Sequence, residues 1–227
     1  MSAMEAVLRE HGFHVINVGY PSLDEPIERH ADLVRDVIAE CCAGGERVHF
    51  VTHSMGGIIV RYYLASADVD NLGRVVMLSP PNKGSEVIDA FDGTALFDRG
   101  AGPGAGQLAT GENGLASKLG PVEFELGVIT GNKTINPLFS WMIPGDDDGA
   151  VSVENAKVAG MADFIVVPYT HTFIMNAEEV HRQTVHFLRS GRFDHSASAE
   201  REASAESEPD LESDLTTAPE TEIERVE

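Results

Sequence analysis

The sequence predicts an α/β fold, a mostly parallel β-sheet with helices on both faces, from two observations. Apolar, β-branched runs alternate with segments of helical periodicity, and the connections between them are short. The runs are apolar throughout, as strands covered on both faces of a sheet require. The chain has 227 residues, which is enough for one domain with a sizeable core, and we place that domain at residues 1–194.

The first part of the chain alternates regularly between helices and strands. Glycines and proline punctuate it, and Ser22 followed by Glu25 and Pro26 is typical of a helix start. The predicted elements are a helix over residues 1–11, a strand at Phe13–Val18, a helix at Pro26–Cys42, a strand at Arg47–Val51, a helix to about Ala67 and a strand at Arg74–Ser79.

The second part of the chain is less regular. From Pro80 to Pro121 glycine and proline are frequent and the apolar residues have no sustained period, which indicates a lid or binding insertion of about residues 80–121 with a short helix near Ser85–Phe91. A mobile insertion without function is the alternative. The remaining predicted elements are strands at Phe124–Thr130 and Asp163–Pro168 and a closing helix at Asn176–Arg189.

The net charge is strongly negative and partly local. The formal charge is −21, and residues 195–227 carry 11 acidic and 2 basic side chains, or −9. This segment is rich in Ser, Ala, Glu and Pro, and we expect it to be a disordered acidic tail because it lacks apolar surface to bury. The rest of the chain carries −12, which is ordinary, and the total of −21 argues against nucleic acid and anionic membrane surfaces as partners.

The chain shows neither a signal peptide nor an apolar run of transmembrane length, so we expect no stable membrane insertion and a cytoplasmic location by default. Because the chain begins inside a helical pattern, we expect that an N-terminal part of the protein is missing. Cys41 and Cys42 are the only cysteines, and we expect core or helix-end thiols because neighbouring cysteines rarely bridge.

Ser54 lies between a strand-like run and an apolar helix-like run, in the segment Thr52-His53-Ser54-Met55-Gly56-Gly57. A strand that turns at once into a helix, with serine at the turn, is the geometry of a nucleophile elbow. The full sequence pattern of this elbow is Gly-x-Ser-x-Gly, and Thr52 stands where the pattern has its first glycine. The Met55 amide, at the helix start, would stabilise a developing oxyanion. The alternative is a serine that merely caps the helix.

A serine nucleophile needs a base, which is usually a histidine oriented by a carboxylate. His171 follows the last predicted strand, and the Asp146–Asp148 turn lies between Ser54 and His171 in the sequence. The carboxyl ends of parallel strands meet at one sheet edge, so these residues are expected to converge. His53 adjoins Ser54 and should point away from it. Any of the three acids could serve, and all three could equally form a solvated turn.

These segments resemble bacterial lipases and esterases of the α/β-hydrolase superfamily. The similar parts are residues 48–64, the Asp-Gly-Ala-Val-Ser turn from Asp148 and the Thr-His-Thr-Phe loop around His171. The resemblance covers about residues 1–193 and implies Ser54 as nucleophile, Asp148 as orienting acid and His171 as general base. In the resembled fold a central strand lies between the strands predicted at Phe13–Val18 and Arg47–Val51, and the turn after it supplies a second oxyanion donor. The resemblance therefore implies an N-terminally truncated hydrolase.

We therefore expect a serine hydrolase that cleaves carboxylic esters, with a small-molecule ester or lipid as substrate. The lipid-like preference depends on the resemblance and on apolar segments such as Leu138–Ile143, which could line an entrance or belong to the core. Acyl transfer or thioester cleavage would use the same residues, and a truncated, non-catalytic protein is a further alternative. No cofactor is expected. No metal is expected either, because three adjacent acids do not have the alternate spacing of a calcium loop. The sequence leaves the oligomeric state open.

Overall fold

A single sheet of four parallel strands forms the centre of the protein, in the order β1-β2-β3-β4. The computed structural model describes residues 1–22, 24–42, 45–91, 102–112, 114–135 and 137–196. The strands are β1 Val48–His53, β2 Leu72–Leu78, β3 Leu126–Gly131 and β4 Asp163–Val167. The helices are α1 Ser2–Glu10, α2 Ile27–Cys41, α3 Met55–Ser66, α4 Glu86–Phe91, α5 Gly102–Gly106, α6 Leu115–Lys118, α7 Pro137–Met142, α8 Val153–Ala156 and α9 Glu178–Ser190, with a 3-10 turn at Ile174–Asn176.

Helices cover both faces of the sheet, which confirms the predicted fold class. In β2, Val76 and Leu78 point into a core cluster shared with α1 and α9, whereas Val75 and Met77 point into a second cluster that includes Val60 of α3. Side chains of a strand alternate between faces, so a run that is apolar at every position serves both clusters. A third cluster packs α2 against α3.

The predicted strand at Phe13–Val18 is wrong, because the segment has no ladder partner in the described part of the chain. Side chains of α1 hold it instead: Arg9 donates to the Val15 carbonyl over 2.6 Å, and Asn17 donates to Glu5 over 2.9 Å. A cavity of about 670 Å³ is lined by this segment, by parts of α1 and α2 and by every residue of β1. The segment nevertheless touches β1 at one point, where the Phe13 and His49 rings are 6.0 Å apart.

The two cysteines are joined in a disulfide, contrary to the expectation of two thiols. Cys41 is the last residue of α2, and Cys42 has already left the helical conformation, with φ −126° and ψ 20°. The change of backbone direction at the helix end brings the two side chains together. Two adjacent residues inside a regular helix would not be placed in this way.

Residues Met1–Asp194 form one compact unit. The predicted disordered tail, residues 195–227, lies outside the described residues except for His195 and Ser196. The predicted insertion at about residues 80–121 contains α4, α5 and α6, while residues 92–101 and 113 are not described. Within the described ranges, none of the helices is long and apolar enough to cross a membrane.

Candidate active site

Ser54 occupies a sharp turn between a strand and a helix. His53 ends β1 and Met55 begins α3, so the turn consists of Ser54 alone. Its backbone has φ 55° and ψ −129°, and the Ser54 amide donates to the Leu78 carbonyl of β2 over 2.9 Å. A positive φ costs a non-glycine residue free energy and persists only where the surroundings enforce it, often at a functional site.

Gly57 lets α3 approach the sheet closely behind this turn. A Cβ atom on Gly57 would lie 3.1 Å from both the Met77 Sδ atom and the Pro80 Cβ atom. Gly56 is less constrained, since its nearest neighbours to a Cβ atom would be Thr52 and Tyr20 at 3.5 and 3.6 Å. Thr52 stands where the Gly-x-Ser-x-Gly pattern has its first glycine, and its side chain is therefore accommodated beside Gly56.

His171 lies on the loop after β4 and connects Ser54 to Asp148. The Nε2 atom of His171 is 2.9 Å from Oγ of Ser54, and its Nδ1 atom is 2.9 Å from Oδ2 of Asp148. The His171 main-chain N–H also donates to the Asp148 carbonyl over 2.8 Å. Residues separated by 117 positions in the sequence thus form one continuous hydrogen-bonded chain at the carboxyl edge of the sheet.

The structure separates the three adjacent acids into different environments. The Asp148 side chain has no exposed surface, and its Oδ1 atom accepts from the main-chain N–H groups of Ala150 and Val151. Asp147 is also buried but accepts from the Ser140 hydroxyl and the Gly149 N–H. Asp146 is exposed. Of the three, Asp148 is the acid in contact with His171.

The surroundings of Asp148 keep it ionised. Burial alone would raise its pKa, but hydrogen bonding and charge attraction from His171, with smaller contributions from the Ser79 hydroxyl and the Val151 N–H, hold it below the ordinary value. An ionised carboxylate only accepts hydrogen bonds, so Nδ1 of His171 carries the proton. The Nε2 atom of the neutral ring is then free to accept the proton of the Ser54 hydroxyl.

The sequence analysis assigned no role in the site to Ser79, and it considered His53 only as a poor base for Ser54. His53 Nε2 lies 2.8 Å from the His171 carbonyl oxygen, and the two rings are 4.8 Å apart. Ser79 is fully buried at the end of β2, has φ 47°, and lies beside Asp148. Both residues stand at the carboxyl end of a strand, and that position was the available signal.

Other predicted site features remain less defined. Met55 is the first residue of α3, as predicted, and the role of its amide stays a prediction. In the segment Leu138–Ile143, Trp141 is 85% exposed and Ile143 is buried, while the side chains of Leu138 and Phe139 lie outside the described part. The proposal that this segment lines an apolar entrance to the site therefore also stays a prediction.

No metal-binding arrangement is evident in the part of the chain that the structure describes, where no three His, Cys, Asp or Glu side chains are grouped as ligands. The carboxylate oxygens of Asp147 and Asp148 are already engaged by main-chain N–H groups, by Ser140 and by His171. The proposed absence of a metal cofactor remains a prediction.

Comparison with known proteins places the chain in a family. Residues 2–204 match the sequence model of the alpha/beta hydrolase family, and the protein belongs to that family. A search of curated proteins finds no match.

Three solved structures share the fold at low sequence identity. Phospholipase PlaB from Legionella pneumophila is 20% identical with a TM-score of 0.65, and the alignment covers 89% of this chain and 58% of PlaB. Bacillus licheniformis lipase BlEst2 in mature form is 20% identical with a TM-score of 0.63, covering 82% of this chain and 83% of the lipase. The metagenomic carboxyl esterase MGS0156 is 20% identical with a TM-score of 0.53, covering 66% and 52% respectively.

Proposed function

We propose that the protein is a serine hydrolase of carboxylic esters, with Ser54 as nucleophile, His171 as general base and Asp148 as the acid that orients the base. The observation that carries this proposal is the chain of two 2.9 Å contacts from Asp148 through His171 to the strained turn at Ser54. A nucleophile within hydrogen-bond reach of a base that is itself oriented by a third group is the arrangement that activates serine.

Each group has a defined task in the proposed reaction. His171 Nε2 removes the Ser54 proton as Oγ attacks the ester carbonyl carbon, and the carbonyl oxygen becomes an oxyanion. The imidazolium, stabilised by the Asp148 carboxylate, then protonates the leaving alcohol, which leaves an acyl group on Ser54. A water molecule loses its proton to Nε2, attacks the acyl carbon and releases the acid, and Ser54 recovers its proton.

We assign the binding site for the oxyanion to the start of α3. The first N–H groups of a helix have no partner within the helix, and the Met55 amide follows the nucleophile directly. Loss of one oxyanion donor typically costs about 2.7–4 kcal/mol in the transition state, which is the size of the contribution we expect from the Met55 amide.

The proposed substrate is an ester with an apolar acyl group. Two large apolar side chains are exposed on segments that border the Asp148 and His171 loops: Trp141 at 85% and Phe173 at 55%. An exposed apolar side chain on such a segment is available to contact an apolar part of a substrate. The names of the similar structures, which are a phospholipase, a lipase and a carboxyl esterase, agree with ester cleavage.

The test is hydrolysis of p-nitrophenyl acetate, butyrate, octanoate and laurate by the protein and two serine variants. We expect Ser54→Ala to lose at least about 10³-fold in kcat. Ser66→Ala is the matched control, because Ser66 lies on the same helix but its hydroxyl contacts only α3 carbonyls. A wild-type protein inert towards all four esters, or an unimpaired Ser54→Ala variant, would overturn the proposal. Faster cleavage of octanoate than of acetate would support the apolar preference.

A further inference from the structure

His53 connects the strand that carries the nucleophile to the loop that carries the base. It is the last residue of β1 and the covalent neighbour of Ser54. Its Nε2 atom lies 2.8 Å from the main-chain oxygen of His171. A carbonyl oxygen only accepts, so the His53 ring donates from a protonated Nε2.

This hydrogen bond closes a ring that contains both reacting groups. The ring runs from Ser54 Oγ to His171 Nε2, through His171 to its carbonyl, across to His53 Nε2, and back along the chain to Ser54. A displacement of the His171 loop away from β1 would break the His53 bond as it lengthened the contact between Ser54 and His171. The bond therefore restrains the distance on which proton transfer depends.

The restraint from His53 differs in kind from the other contacts of His171. The partners of the His171 amide and of Nδ1 both belong to Asp148, which itself lies on a loop. Asp148 is itself held by the N–H groups of Ala150 and Val151 on that same loop. His53 instead belongs to a strand of the central sheet, so its hydrogen bond ties the His171 loop directly to the sheet.

The charge state of His53 suits this position. Burial, followed by repulsion from His171, lowers the pKa of His53 to about 4, while the hydrogen bond to the His171 carbonyl and the nearby Asp148 carboxylate act in the opposite direction. The ring is therefore neutral above about pH 5 and does not compete with His171 for the proton of Ser54. With ring centroids 4.8 Å apart, a charged His53 would oppose formation of the His171 imidazolium.

We propose that His53 is a positioning residue that aligns His171 with Ser54 through its hydrogen bond to the His171 carbonyl. This inference rests on the proposed function, because it concerns the efficiency of the same base. It predicts a role in kcat and not in substrate binding, since the His53 ring contacts the base and its nitrogen is committed to a main-chain oxygen.

The experiment compares two amide side chains that differ by one methylene group. In His53→Gln the amide nitrogen can take the place of Nε2, whereas in His53→Asn it falls short of the His171 carbonyl. We expect His53→Asn to lower kcat for p-nitrophenyl butyrate about 10–100-fold with KM changed less than about 2-fold. We expect His53→Gln to recover kcat to within about 5-fold of wild type. His186→Gln, a substitution of an exposed histidine on α9, is the control.

The outcomes separate this inference from the proposed function. An inactive wild-type protein would overturn the ester hydrolase proposal. An active wild type with an unimpaired His53→Asn variant, or equal losses in both variants, would overturn the role of His53. Long-range ¹H–¹⁵N NMR of the wild type provides a readout without activity or substitution. We expect a neutral His53 ring protonated at Nε2 at pH 6, and a ring protonated at Nδ1 alone would overturn the inference.

Discussion

Asp148 holds His171 by two separate hydrogen bonds. Its Oδ2 atom lies 2.9 Å from Nδ1 of His171, and its main-chain carbonyl accepts the His171 amide over 2.8 Å. The first bond selects the tautomer of the ring, and the second fixes the main chain from which the ring projects. The remaining carboxylate oxygen is bound by the N–H groups of Ala150 and Val151, so the acid itself is held in place.

Replacing Asp148 by asparagine should retain the shape of the site and remove its activity. The asparagine amide can present a donor to Nδ1, which would move the ring proton to Nε2 and block proton transfer from Ser54. We expect kcat to fall by about 10²–10⁴-fold. The measurement is the rate of p-nitrophenyl butyrate hydrolysis. Asp146→Asn, in the exposed acid of the same turn, should remain within about 2-fold of wild type.

The partial burial of His53 should make the protein less stable in mild acid. Its pKa falls from 6.5 in the unfolded chain to about 4 in the folded protein, mainly because of burial. Between these values the unfolded state binds the proton preferentially, so stability is present at neutral pH and is lost as pH falls from about 6.5 to 4. Linkage gives a loss of about 3 kcal/mol.

Urea unfolding at pH 7 and at pH 4.5 measures this dependence. Other groups titrate in the same range, so the informative quantity is the difference between wild type and His53→Gln, which has no ring to protonate. We expect a smaller loss of stability in the variant. Equal losses in the two proteins would show that His53 is not buried in the neutral form.

Gly131 is required where β3 ends beside the His171 loop. A Cβ atom there would lie 2.1 Å from the Tyr169 carbonyl oxygen and 3.0 Å from Asp148 Cβ. In Gly131→Ala the main chain around Tyr169 must move, and the Asp148–His171 pair must move with it. We expect a loss of about 1–3 kcal/mol in stability and a fall in activity that reaches about 10²-fold. Thermal unfolding and ester hydrolysis measure the two effects.

The control for Gly131 is Gly106→Ala. A Cβ atom at Gly106 meets no other atom within 4 Å, and the residue lies at the end of helix α5. We expect wild-type stability and activity from this variant. An active, stable Gly131→Ala protein would show that the Tyr169 loop has room to shift without disturbing the site.

Arg61 joins α3 to the segments that follow β2. It is 3% exposed, and its guanidinium donates to the Asn82 carbonyl over 2.9 Å and to the Gly120 carbonyl over 2.8 Å. Burial lowers its pKa to about 10, so it stays charged at neutral pH. A lysine cannot reproduce this fork of donors, and we expect Arg61→Lys to lose about 1–3 kcal/mol in urea unfolding.

Arg35→Lys is the matched control for Arg61→Lys. Arg35 lies on α2 with 58% of its side chain exposed, and it contacts Asp32 and Asp36. Exposed ion pairs contribute little to stability, so we expect a change below about 1 kcal/mol. If both substitutions had equally small effects, the buried hydrogen bonds of Arg61 would not stabilise the fold as we infer.

The sheet could be predicted from the sequence because its strands are buried on both faces. Runs such as Val75 to Leu78 are short, apolar at every position and rich in β-branched residues, and glycine and proline mark the neighbouring helix starts and ends. The failure at Phe13–Val18 has the opposite cause. Local composition there favours a strand, but strand formation depends on a neighbouring chain, and side chains of α1 bind the segment instead.

The order of the candidate site residues along the chain could be predicted from the sequence, but the choice among the three acids and the contact of His53 could not. Ser54 and His171 could be placed because each follows a predicted strand. Three consecutive acids, however, cannot be ranked by composition, and their burial separates them only after folding. The contact of His53 with the His171 carbonyl joins residues 118 positions apart, and it depends on where the folded chain places the His171 loop.

Covalent labelling with a fluorophosphonate tests the central claim most directly, because it reports an activated serine without requiring turnover. The wild-type protein and its Ser54→Ala variant are each incubated with the probe, and intact mass and peptide mapping locate the adduct. We predict one adduct on the wild type, located at Ser54, and none on the variant. A folded wild type that gains no adduct, or an adduct that persists in Ser54→Ala, would contradict the assignment of Ser54 as the nucleophile.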